Sequence, residues 1–250
     1  MAADLRLTFR QQTPKTTGRT GWCVHEFEAI WPAGQTAFVV VDMWDTHWSW
    51  GATERVNVLA PRMDAVLKAA RKKGVLIVHA PSDTMDFYRG HPAREWVLSL
   101  PLAELPAPAE HDDPPLPIDD SDHGSDTGEP TWSRPWTRQH PAIEIAEGDA
   151  ISADGQELYN IVAARGIRNV IYAGVHTNMC VLNRPFAIKQ AVRWGLNVAL
   201  ARDLTDTMYN PMRPPYVSHE EGTALVIGYI EKFWCPTFTS DDLTAERMRQ

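Results

Sequence analysis

Residues 165–181 read RGIRNVIYAGVHTNMCV, and the fold turns on how this stretch is parsed. Gly166 is a natural stop for the helical run Leu158–Ala164, since glycine accepts the left-handed conformation that ends a helix. Val170–Ala173 is apolar, β-branched and of strand length, and Cys180 opens a second helical pattern that runs to Trp194 and closes at Gly195. Outward from here the same alternation recurs. Ala37–Val41 (AFVVV) is continuously apolar, as a strand buried on both faces must be. Val56, Leu59, Met63, Val66, Leu67 and Ala70 follow helical spacing up to Lys72, Lys73 and Gly74, and Val75–Val78 is the next strand. Asn197–Leu200 is a strand, Ala224–Phe233 a helix, and Cys235–Thr239 a last edge strand. Repeated strand–helix–strand units imply an α/β protein: a Rossmann-like three-layer α/β/α sandwich around a mostly parallel sheet of roughly six strands. Ligands of such sheets bind at the carboxyl ends of the strands. The positions to search therefore follow Val41, Val78, Ile145, Ala173 and Leu200.

A chain of 250 residues suits one large domain. The reading places an N-terminal extension at 1–35, the domain at 36–240 and a C-terminal tail at 241–250. One stretch, about 101–141, breaks the rhythm: it holds nine prolines and the acidic run Asp119–Asp126, which excludes a continuous helix or strand. It reads as a surface insertion, or more sharply as a lid or an oligomer contact. Asp120, Asp122 and Asp126 faintly resemble a calcium loop, but the closing glutamate is missing.

A net charge of −8 argues against non-specific binding to nucleic acid or to an anionic membrane. No apolar run approaches membrane-spanning length, and the first twenty residues lack an apolar signal core. The expectation is a soluble protein, cytoplasmic or an exported mature form. Cys23, Cys180 and Cys235 are widely spaced, which fits neither a disulfide framework nor a zinc ribbon; a single Cys23–Cys235 bridge is the one pairing left open.

Two residues stand where chemistry is expected. Asp42 follows AFVVV directly, and a carboxylate at the end of a buried strand is costly without a partner or a task. Cys180 sits at a predicted helix N-terminus, where the dipole favours thiolate and backbone N–H groups can hold an oxyanion. The bland readings are a loop-capping Asp and a buried structural Cys. Trp44, Trp48, Trp50, Trp132 and Trp136 either pack loop layers or wall a pocket, Trp44 and Trp48 being the pocket candidates.

FVVVDMW at 38–44 and the 165–181 stretch resemble the two signature segments of the isochorismatase-like cysteine hydrolases, which include nicotinamidases, N-carbamoylsarcosine amidases and ureide-type amidases. The resemblance runs from about Thr36 to Leu204, excepting the insertion. It implies that Asp42 and Cys180 belong to an Asp–Lys–Cys triad. It also implies a cis peptide before His176, with an oxyanion hole around Val175, His176 and Cys180. The family lysine has no counterpart: ungapped counting back from Gly166 lands on Glu147, its neighbours Glu144 and Asp149 are acidic too, and no lysine lies between Lys73 and Cys180. Lys189 would need an unusual path of the chain. A glutamate beside an aspartate would raise one carboxyl pKa and supply a general acid.

Nicotinamidases bind metal through an Asp-x-His pair and a further His; here Asp45, His47, His79, Asp83 and His91 are the available ligand types, with Asp86 nearby. The expectation is that no cofactor is required, a divalent metal being the alternative. Trp44, His47, Asn183 and Arg184 are the substrate-contact candidates, with Arg134 and Asp203 as further polar candidates. The function implied is hydrolysis of a small amide, carbamoyl or ureide C–N bond through a Cys180 thioester, with Glu147 modulating proton transfer. Its rivals are thiol-independent acid catalysis of the isochorismatase type and a non-catalytic binding protein on the same fold. The implied partners are a small-molecule substrate and further copies of the chain.

Overall fold

The computed structural model describes residues 4–18, 20–129 and 133–245, so Trp132 lies outside the described residues. Asp4–Pro14 (β1) and Trp22–Pro32 (β2) form an antiparallel hairpin, followed by Thr36–Val41 (β3), helix Trp50–Lys73 (α1), Leu76–Ala80 (β4) and Pro92–Leu98 (α2). After the insertion come Ala150–Ile151 (β5), Gly155–Arg165 (α3), Asn169–Val175 (β6), Cys180–Asn183 (α4), Ile188–Arg193 (α5) and Asn197–Asp206 (β7). His219–Phe233 (α6), Thr237–Phe238 (β8) and Asp241–Thr244 (α7) complete the chain. The strands make one sheet in the order β2-β1-β8-β7-β6-β3-β4-β5, parallel from β8 to β5. The α/β/α sandwich and the parallel centre are thus as expected.

The apolar run of β3 has a simple cause. Ala37, Val39 and Val41 pack on one face with α3 and α6, whereas Phe38 and Val40 pack on the other with α1. Both faces are covered, so the run is apolar apart from Thr36 at its start, whose hydroxyl donates to the Pro32 carbonyl. Gly74 (φ +98°) and Gly166 (φ +61°) close α1 and α3 in the left-handed conformation anticipated for them.

Four details differ from the sequence reading. The sheet has eight strands rather than six, because residues expected to be an extension form β1 and β2; β1 joins the sheet at Arg10↔Thr237. Leu5, Leu7 and Phe9 alternate into the core while their neighbours face out, a period-two signal hidden in a polar stretch. The expected tail begins with α7, whose Leu243 is buried. The strand expected to end at Ile145 is instead Ala150–Ile151. The helix expected over Cys180–Trp194 is two short helices, since Pro185 drives Arg184 out of the helical region (φ −58°, ψ 152°).

Among its described residues the insertion has no helix or strand of its own, but it is tied down. Asp120 accepts from Asn178, Asp122 from Asn210 and Arg213, and Asp126 from Arg55. These carboxylates face the chain's own donors, which removes the calcium-loop reading. Cys23 and Cys235 are free thiols, so the bridge left open by the sequence is not formed. Among the described residues no helix is long and apolar enough to cross a membrane.

Candidate active site

β3 and β6 are parallel neighbours, so their carboxyl ends meet. Gly174 makes this approach close: a Cβ there would stand 2.0 Å from the Val41 carbonyl oxygen, and its φ of +110° suits only glycine. Asp42 leaves β3 at φ +46°, and Cys180 follows β6 by one loop. Two residues from distant segments are thereby set face to face.

The Asp42 side chain is fully buried. Its Oδ1 accepts the Ser82 backbone N–H at 2.6 Å, and its Oδ2 accepts Arg184 Nε at 3.1 Å. The Cys180 thiol is in polar contact with both Asp42 and Arg184. Burial pushes the Asp42 carboxyl above the usual range, opposed first by the Arg184 charge and then by hydrogen bonds with Cys180 and Ser82. Burial, and next the Asp42 charge, push the Cys180 thiol well above its usual value, while Arg184 pulls it down. The thiol is therefore neutral at rest. The helix-dipole argument does not carry over, because α4 is a single turn of four residues.

Cys180 is partly exposed and opens into a cavity of about 230 Å³ lined by Trp44, His47, Trp136, His176, Arg184 and Met208 among others. Trp44 and Trp136 stack at 4.1 Å with planes 8° apart, and His47 continues the stack 5.4 Å from Trp136. The wall is thus built from both the first loop and the insertion. His123 and Arg134 of the insertion line the cavity as well. Burial holds His47 at about 4 and His176 well below the usual imidazole value, so both rings are neutral. Among the described residues, His176 Nε2 and Trp136 Nε1 are buried without a hydrogen-bond partner. The Val175–His176 peptide is cis. The His176 and Cys180 backbone N–H groups are not taken up by another backbone carbonyl among the described residues.

Several sequence candidates lie elsewhere. Glu147 is exposed and lines a separate cleft with Gly34, Gly74 and Ile167, which precede β3, β4 and β6. It therefore belongs to the amino ends of the strands, opposite the thiol, and the paired-carboxylate reading is corrected. The sequence reading ended a strand at Ile145 and so put Glu147 after it, whereas the strand is Ala150–Ile151 and Glu147 precedes it. Glu144 pairs with Lys68, and Asp149 with Arg71 and His79. Asn183 is exposed and donates to the Asn178 and Met179 carbonyls instead of facing the cavity. Asp203 accepts from Ser240 and pairs with Arg62, and Lys189 pairs with Asp113. Trp50 is 62% exposed and is not part of the lining of the Cys180 cavity.

The metal candidates are likewise separately engaged. Asp45 holds Thr137, His79 bridges Gln139 and Asp149, Asp83 pairs with Arg184, and His91 caps α2. Among the described residues no group of three or more His, Cys, Asp or Glu side chains is placed to hold a metal.

Ser82, Met179 and Met208 were missed by the sequence reading. Ser82 contributes a backbone N–H, which any residue type could supply, and Met208 lies beyond the segment on which the resemblance rests.

The sequence matches the isochorismatase domain family over residues 36–213. No curated protein matches it. Among solved structures, a cysteine hydrolase from Pseudomonas syringae pv. phaseolicola 1448A is 18% identical with a TM-score of 0.53, over 85% of this chain and 93% of that one. An isochorismatase family protein from Burkholderia thailandensis is 15% identical with a TM-score of 0.48, over 84% and 93%. N-carbamoylsarcosine amidase from Thermoplasma acidophilum is 14% identical with a TM-score of 0.43, over 83% and 97%. At these identities the structures speak to fold, and membership rests on the family match, which covers well over half of the sequence: the chain belongs to the isochorismatase family.

Proposed function

We propose that the protein is a cysteine hydrolase that cleaves a C–N bond of a small, uncharged amide, carbamoyl or ureide. The observation that carries this reading is the contact between the buried Asp42 carboxylate and the Cys180 thiol at the wall of a cavity. A neutral thiol is a weak nucleophile, and a carboxyl with a raised pKa is a competent base for it. Asp42 takes the thiol proton as sulfur bonds to the carbonyl carbon. The carbonyl oxygen, now negative, is met by the N–H groups at His176 and Cys180. The C–N bond breaks, Asp42 returns the proton to the departing nitrogen, and a thioester remains on Cys180. Water, deprotonated by Asp42, attacks the thioester and releases the acid and the thiol.

The cavity supports a small neutral ligand. Its aromatic stack offers flat contact, and the two unpartnered buried atoms offer polar anchorage. The experiment is a screen of small amides, carbamates and ureides with wild type and Cys180→Ala. Turnover that vanishes in the variant, with an acyl adduct on Cys180 by mass spectrometry, is expected. Turnover retained in Cys180→Ala would overturn the scheme. It would favour the second reading, thiol-independent acid catalysis, which the raised Asp42 pKa also suits.

A further inference from the structure

We propose that Arg184 is the fixed cation of the thiol site, filling the role for which the family resemblance implies a lysine, and that it reaches the site from the segment after the nucleophile rather than from the segment before it. Three side chains meet the guanidinium. Nε is 3.1 Å from Asp42 Oδ2, Nη2 is 3.3 Å from Asp83 Oδ2, and the Cys180 thiol is in polar contact with it. The nearest-in-sequence acidic alternative, Glu147, is at the other end of the strands, and Lys189 is engaged by Asp113.

The backbone explains why an arginine can act from here. The residue before a proline is excluded from the helical region, so Pro185 ends α4 and sets Arg184 at ψ 152°. The turn is held on both sides. Arg184 N–H donates to the Cys180 carbonyl at 3.1 Å, Ala187 N–H to the Arg184 carbonyl at 2.8 Å, and the buried Tyr172 hydroxyl to the Phe186 carbonyl at 2.6 Å. The start of α3 presses against it too: a Cβ on Gly155 would lie 2.4 Å from the Pro185 carbonyl oxygen. A continuous helix would have carried residue 184 onward along the helix surface; the break turns it back over the thiol.

The chemistry needs this charge. Asp42 brings a carboxylate against a thiol that must become thiolate, and like charges oppose that step. A guanidinium does not give up its proton in proteins, so Arg184 supplies charge and orientation only and leaves Asp42 as the proton carrier. Its fork geometry lets it hold Asp42 with one nitrogen and Asp83 with another, which a single ammonium nitrogen would do less well. Asp83 thus anchors the cation that serves Cys180.

The inference rests on the proposed function only in taking Cys180 as the reactive thiol, and its test needs no substrate. The full-length protein and its Arg184→Gln and Arg184→Lys variants are treated with iodoacetamide across pH 6 to 10. Alkylation of Cys180 is followed by peptide mass mapping, and folding by circular dichroism. Arg184→Gln is expected to move the pH–rate curve up by about one unit, a roughly tenfold slower alkylation at pH 8. Arg184→Lys is expected to stay within about threefold of wild type, because the charge is kept. A folded Arg184→Gln protein with an unchanged curve overturns the proposal. So does a folded Arg184→Lys protein slowed tenfold, which would assign the effect to shape rather than charge. If the glutamine variant does not fold, the lysine variant decides alone. An absence of amide turnover would sink the proposed function and leave this result standing.

Discussion

Arg184 Nε donates to Asp42 Oδ2 across 3.1 Å of space and 142 positions of sequence. That ion pair shares a thiol between a base that opposes its ionisation and a cation that favours it. Burial and the carboxylate prevail, so the thiol is neutral at rest, and its behaviour under mutation follows from which of the two charges is removed.

Removing the carboxylate should separate thiol reactivity from catalysis. In Asp42→Asn the charge that raises the Cys180 pKa is gone while Arg184 remains, so alkylation at pH 8 is expected to rise about tenfold. Turnover of any substrate found should fall by about a hundredfold or more, since the proton carrier is lost. Measuring both rates on one preparation checks this. A parallel fall in both would assign Asp42 a role in thiolate formation instead.

Glu147 gives the opposite expectation. It is exposed at the amino ends of the strands, so Glu147→Gln and Glu147→Lys should leave turnover and Cys180 alkylation within about twofold of wild type. A steady-state comparison suffices. A large loss would restore the carboxylate pair that the structure removes.

Stability should fall with acid through the histidines at the cavity. Burial lowers His47 to about 4 and holds His176 neutral, whereas in the unfolded chain an imidazole protonates near 6.5. The unfolded state therefore gains protons first, and stability is lost as pH falls from about 6.5 toward 4. Asp206 and His219 act outside that range: Asp206 is held, against its burial, below the usual carboxylate range by His219 and Arg55, so its contribution is lost only as pH falls further, through its folded value. His219 is raised by Asp206 against its own burial, so its contribution is present below about 6.5 and fades as pH rises through its folded value. Urea unfolding at pH 7 and pH 5 is expected to show a loss for wild type and a smaller loss for His47→Asn. Equal losses would remove His47 as a cause.

Much of the architecture was readable because local pattern and burial coincide in this chain. AFVVV could only be a strand covered on both faces, and Gly74 and Gly166 could only be helix stops once the apolar spacing ended beside them. The hairpin of β1 and β2 was missed although Leu5, Leu7 and Phe9 alternate, because a strand paired at the sheet edge keeps one polar face and resembles a loop in composition. In the site, Asp42 and Cys180 were found because each directly follows a strand or its loop. Asp83 was weighed only as a metal ligand, Arg184 only as a substrate contact, and Met208 not at all, since nothing local marks a residue that comes near another only after folding.

The sequence by itself determined the α/β alternation, the parallel centre of the sheet and the two strand ends from which a carboxylate and a thiol emerge, because these depend on periodicities of two and 3.6 and on glycine and proline acting where they stand. Only the tertiary structure decided which charge completes the site. Glu147 and Arg184 are both one loop away from a plausible position in the chain, but the direction of β5 carries the first to the amino end of the sheet, and the break at Pro185 folds the second back onto Asp42 and Cys180. Position along a chain fixes what a residue can do; strand direction and a single proline fix what it stands beside.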